Sequence, residues 1–197
     1  MKRTLLVYLT ALLLPYAAGA QQASHHQGQQ PPQSAAQATA QPEPNPVSNS
    51  VRKIMDRRAK LMVAAAEAMP ADKYSFRPTP EQMTFGHLLI HTAEANNFLC
   101  SSISGMAAPA DTKPADTDPK EKLVAALKSS FDNCAQALAK IDDSNLGAQV
   151  PFFGDGKISR AGAMIALTDV AYDHYSMAAM YLRLNGVTPP SAQPKKD

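Results

Sequence analysis

Four segments of this chain repeat apolar residues at three- and four-residue steps, and no stretch of comparable length alternates apolar with polar. That period is the period of one face of an α-helix, so the chain is committed to burying helical faces against one another. The first segment runs from about Val47 to Met69, with Val51, Ile54, Met55, Leu61, Met62 and Ala65 on its stripe, and Pro70 ends it. The second runs from about Thr84 to Ser104, carries Phe85, Leu88, Leu89, Leu99 and Ile103, and has Gly105 as its C-cap. The third opens on Asp118-Pro119-Lys120-Glu121, which reads as an N-cap, a proline at the first helical position and an acid at the third. Its stripe is Leu123, Leu127, Phe131, Cys134, Leu138 and Ile141.

The fourth segment, about Ser159 to Asn185, is apolar nearly all round, and Gly186 with Pro189-Pro190 stops it. A helix of that kind is expected to be buried. Between the third and fourth segments, Val150, Phe152 and Phe153 read as a short extended piece, and Gly154-Asp155-Gly156 as a turn. Phe152 and Phe153 are placed either to cover a site or to close the bundle end. The expectation is an all-α four-helix bundle over 47–190, running up-down-up-down with some longer crossings. Residues 191–197 are expected to be a flexible tail.

The N-terminus reads differently. Lys2 and Arg3 precede an apolar run from Leu5 to about Ala18, and Ala18-Gly19-Ala20 is a small-residue cleavage signal. This is the pattern of a secretory signal peptide over 1–20, too short for a membrane span. The expected location is periplasmic or secreted, with no stable membrane insertion after cleavage. Residues 21–46 are Gln, Ala and Pro with almost no large apolar side chains, so they cannot offset the entropy of ordering and read as a disordered leader. His25 and His26 lie in that tract and read as incidental. With Lys2 and Arg3 gone, basic and acidic residues balance (19 less two, against 17). No basic stripe with interleaved aromatics is present, which argues against nucleic acid as a partner.

Three histidines fall in the bundle. His87 and His91 are four apart on the second helix, Glu94 continues their line, and His174 sits mid-way along the fourth. Bundles build metal sites from inward-facing side chains on facing helices, and neutral imidazole is the commonest ligand. The same spacing also suits a core histidine bonded to a neighbouring acid or tyrosine, and a solvated His pair. Cys100 and Cys134 lie on the second and third helices. Export to an oxidising compartment would let them bridge; the alternative is two buried thiols that pack as small hydrophobes, and geometry decides between them.

Two stretches carry a resemblance. "MPADKYSFRPTPEQMTFGHLLIHTAEA" and "DHYSMAAMYLRLNGVTPPS" resemble the opening and closing motifs of the DinB-like family, in order and at the expected separation. The resemblance spans about Val51 to Pro190 and implies a four-helix bundle. It also implies a metal site of three histidines, one on helix two and a His-x-x-x-His pair on helix four, with zinc or nickel as the metal. His91 matches the first ligand and His174 the last, but Val170 stands where the middle one belongs. Were helices two and four parallel, His87 would lie level with Val170 and complete a rearranged triad, with Glu94 in reserve. The other outcome is a degenerate site.

Some family members use the metal to activate a small thiol, which implies a transferase- or hydrolase-type enzyme; Arg183, near the end of helix four, suits either binding of an acidic group or interaction with the helix dipole. The competing expectation is an exported, non-catalytic bundle that binds a small-molecule ligand or pairs with itself as a homodimer.

Overall fold

The computed structural model describes residues 42–110 and 113–194. The signal segment, nearly all of the leader including His25 and His26, and the last three residues of the tail lie outside the described residues. Four helices form: α1 Pro46–Ala68, α2 Phe85–Ser104, α3 Lys120–Ala139 and α4 Arg160–Leu184. Short 3-10 turns lie at Ala71–Lys73, Asp143–Asn145 and Pro190–Ala192. The last of these carries structure into the start of the expected tail, where Ser191 N donates to Tyr175 Oη at 2.9 Å. The extended piece is a two-stranded hairpin, in which β1 Gln149–Pro151 pairs antiparallel with β2 Lys157–Ser159.

Local chemistry explains most helix ends. Thr84 accepts from the His87 N–H and Ser159 from the Gly162 N–H, satisfying donors the helices leave free. Gly105 and Gly186 sit in the left-handed region at φ 72° and 74°. After α4, Gly186 N donates to Arg183 O and Val187 N to Leu182 O, the paired bonds that close a helix before a glycine. The start of α3 differs from expectation. Asp118 is not its N-cap: Pro119 is, and the helix begins at Lys120. The Asp118 carboxylate is used by its own loop, accepting from Ala115 N at 2.8 Å and pairing with Lys122 Nζ at 2.7 Å.

The start of α1 is closed from across the chain. Asn45 precedes it with no side-chain cap. Instead Asp143 accepts from Val47 N and Ser48 N, both at 2.9 Å, and from Ser48 Oγ at 2.7 Å. Burial pushes the Asp143 carboxyl up, but these hydrogen bonds and Arg52 outweigh it and hold the group below its ordinary value.

Helix directions follow from cross-helix contacts. Arg52 Nη1 caps the end of α3 on Leu138 O and Ile141 O, while Lys120 at the start of α3 reaches Glu67 O and Met69 O at the end of α1. α1 and α3 are therefore antiparallel. Asn96 bonds Ser130 at 3.1 Å, and a turn further on Cys100 is disulfide-bonded to Cys134, with Cα atoms 5.2 Å apart. α2 and α3 are therefore parallel. Tyr181 Oη donates to Met83 O beside the start of α2, and Arg160 Nε donates to Ile103 O near its end. α2 and α4 are therefore antiparallel, and α4 runs parallel to α1.

The bundle is up-down-down-up, not up-down-up-down. The connection from Gly105 to Pro119 makes this affordable: roughly 15 residues reach about 50 Å extended, against about 30 Å for a 20-residue helix. It climbs back beside α2, pinned by Lys113 to Glu94 at 2.6 Å and by the backbone of Asp116 against Gly86. A Cβ at Gly86 would lie 3.0 Å from Asp116 O and 3.4 Å from Tyr74 O.

The core contains Met62, Met69, Phe85, Leu88, Leu89, Leu99, Leu127, Met164, Leu167 and Tyr181, all at or near zero exposure. α4 is not buried all round. Ile165 is 66% exposed and Tyr172 57%, and Ile54 on the expected α1 stripe is 43% exposed. Each helix in a four-helix bundle faces solvent on one side, so an all-round apolar helix leaves one face uncovered. Among the described residues no helix is long and apolar enough to cross a membrane.

Candidate functional site

Helix periodicity sets His87, His91 and Glu94 along one side of α2 and Val170 and His174 one turn apart on α4. Packing of the two helices brings His91 and His174 together, with ring centroids 4.9 Å apart and planes inclined by 57°. His91 lies towards solvent, whereas His174 is 6% exposed. The Nδ1 atom of His174 is buried without a hydrogen-bond partner. Burial holds the His174 pKa below its ordinary value, the neighbouring His91 adds to that, and Asp173 opposes it. His174 is thus neutral at neutral pH, the form that ligates a metal or accepts a hydrogen bond.

His87 does not join the pair. Because α2 descends as α4 rises, the step from His91 back to His87 corresponds to a step from His174 towards Ala178, away from Val170. The residues level with Val170 are Glu94 and Ala95. His87 instead faces the crossover, with Nδ1 3.8 Å from Asp116 Oδ2, and Glu94 is held by Lys113. Among the described residues no three His, Cys, Asp or Glu side chains are grouped so as to hold a metal ion. The donor set is two imidazoles, one of them with an unpaired buried nitrogen. That is one short of the three protein ligands of a catalytic divalent centre, so the residues present do not make such a centre.

Arg183 is exposed, and its Nη1 lies 3.5 Å from Ala179 O on its own helix. It contributes to the end of α4 rather than to the histidine pair.

Sequence reasoning did not include Phe98. It lies two turns beyond His91 on the same side of α2 and stacks on Phe153 of the hairpin at 5.0 Å and 24°, while Phe152 meets Phe153 edge-on at 4.7 Å. Ser102 Oγ donates to Pro151 O and fixes the hairpin to α2. Phe98 and Phe153 remain 37% and 53% exposed. The signal was available as the seven-residue step from His91 to Phe98, which repeats a helical face.

A sequence profile described as the DinB superfamily matches residues 54–178, well over half of the chain. No curated protein matches it. Solved structures do. A crystal structure of a DinB-like protein from Bacillus subtilis is 18% identical at a TM-score of 0.60, covering 75% of this chain and 100% of that one. A DinB-like protein from Bacillus cereus is 14% identical at 0.60, covering 72% and 95%. A conserved protein from Enterococcus faecalis is 16% identical at 0.55, covering 70% and 96%. At these identities the likeness is one of fold.

Proposed function

This chain belongs to the DinB superfamily, and from that premise we propose that it is an exported member with a degenerate metal centre, acting as a small-molecule-binding bundle. The observation that carries the reading is Val170. It stands one turn before His174 with a side chain that cannot ligate, and neither His87 nor Glu94 replaces it. What remains is a polar pair, His91 and His174, at the α2–α4 seam, with the Phe98–Phe153 stack two turns away along α2. A neutral buried imidazole with a free nitrogen suits a ligand that can hydrogen-bond there, and the aromatic pair suits its apolar part. Export is supported by the Lys2-Arg3 and Leu5–Ala18 pattern and by the Cys100–Cys134 disulfide, which persists in an oxidising compartment.

One observation favours a second reading, a metal-dependent transferase or hydrolase acting on a small molecule such as a thiol. The unpaired Nδ1 of His174 is a free donor, and with His91 it would give zinc or nickel two imidazoles. A divalent ion supplies Lewis acidity that lowers the pKa of a bound thiol.

Element-resolved mass spectrometry separates the two. The chain is exported without a polyhistidine tag, purified, and compared with His174→Ala. The degenerate reading expects far less than one equivalent of divalent metal in both proteins. About one equivalent in the natural chain, lost in the variant, overturns it and favours the enzyme.

A further inference from the structure

Of the eight large apolar side chains exposed among the described residues, six lie on α1 or α4, and two on the Phe98–Phe153 stack. On the α1–α4 seam, Ile54, Ile165 and Tyr172 line an open groove of about 610 Å³, with Arg58 and Asp169 among them. The Arg58 guanidinium lies 4.3 Å above the Tyr172 ring. Ile165 and Tyr172 are two turns apart, so they present one continuous stripe. The other seams are treated differently. The crossover lies beside α2, and α3 turns Lys122, Lys128 and Asp132 outward. A contiguous apolar face with a polar rim, confined to one seam of a bundle, marks a surface that is covered in use.

The charges identify the cover. The groove is lined by one cation, Arg58, and one anion, Asp169, the exposed Arg57 and Asp173 flank them, and among the described residues none of the four is in an ion pair with another side chain. A partner of one sign would satisfy one and repel the other, and an anionic membrane surface would meet Asp169. A second copy about a two-fold axis presents Asp169 to Arg58 and Arg58 to Asp169, with Tyr172 and Ile165 packed between. We propose that the α1–α4 face bearing Ile54, Ile165 and Tyr172 is the interface of a symmetric homodimer, with Arg58 of each copy paired to Asp169 of the other.

Sedimentation velocity on the full mature chain tests this. At about 50 µM, where a micromolar interface is mostly occupied, the natural chain is expected to sediment as a dimer. Ile165→Glu is expected to give a monomer with unchanged helical circular dichroism, because Ile165 is already two-thirds exposed. Arg58→Asp and Asp169→Arg are each expected to weaken dimerisation about tenfold or more, and the two together to restore it. A monomeric natural chain overturns the proposal, as does a dimer that survives Ile165→Glu. Failure of the double reversal to restore the dimer overturns the pairing. None of these substitutions touches His91 or His174, so the metal assay reads independently.

Discussion

Val170 and His174 stand one turn apart on the same side of α4, the spacing at which two histidines share a metal. Only the second position is filled here. Val170→His would supply the third imidazole beside His91 and His174. The expected outcome is about one equivalent of zinc or nickel bound after purification, with a rise in thermal midpoint on adding metal that the natural chain does not show. A variant that stays metal-free would mean that a third imidazole at 170 is not enough to make the pair hold a metal.

The disulfide joins two parallel helices across a sequence separation of 34. On the chain-entropy account such a closure contributes roughly 3–4 kcal/mol. Urea unfolding of Cys100→Ala/Cys134→Ala is expected to show that loss, and the natural chain in reductant is expected to approach it. Unchanged midpoints would place the stability of the α2–α3 pair in its packing alone.

Asp143 closes the N-terminus of α1 as a carboxylate, and its pKa is held below the ordinary 3.8. A depressed carboxyl contributes stability that is present above the unfolded value and lost as pH falls through the folded one. The natural chain is therefore expected to be more stable than Asp143→Ala at pH 7. The gap between their melting midpoints is expected to shrink as pH falls below about 4. A gap that stays constant down to pH 2 would mean that the carboxylate charge plays no part.

Gly86 sits in α2, where alanine is worth about 1 kcal/mol more as a helix former. Its missing Cβ leaves room for Asp116 O and Tyr74 O, two backbone atoms on different segments, and for Leu123 Cδ1. Overpacking at such a point costs about 1–3 kcal/mol, so Gly86→Ala is expected to lower stability overall. A gain in the urea midpoint would show that the crossover shifts outward freely.

Periodicity made the four helices and most of their ends legible: Thr84, Ser159, Gly105 and Gly186 act through bonds within one turn of chain. It carries no information about direction. Asn96 to Ser130 and Cys100 to Cys134, which set α2 parallel to α3, are contacts between segments. The same blindness left His87 open as a ligand beside His91 and His174. His87 and His91 look equivalent on a helical wheel, and only the antiparallel crossing of α2 and α4 puts one against His174 and turns the other towards Asp116. Asp118 resembled a cap because the residue type is right, but its Oδ2 is engaged by Ala115 N and Lys122 Nζ. The exposed face of α4 was misread because an all-round apolar helix looks the same in sequence whether its outer side meets core or solvent.

The sulfur bridge also decides how this bundle would bear a pull between its ends. Tension entering through α1 passes along α2 to Cys100, crosses to Cys134 and leaves through α4, so residues 101–133 carry none of it. The whole crossover lies inside that shielded span. While the bridge is intact, the longest extension of the chain is shorter by about 110 Å. Reduction would release that slack, and the domain would yield further under the same load.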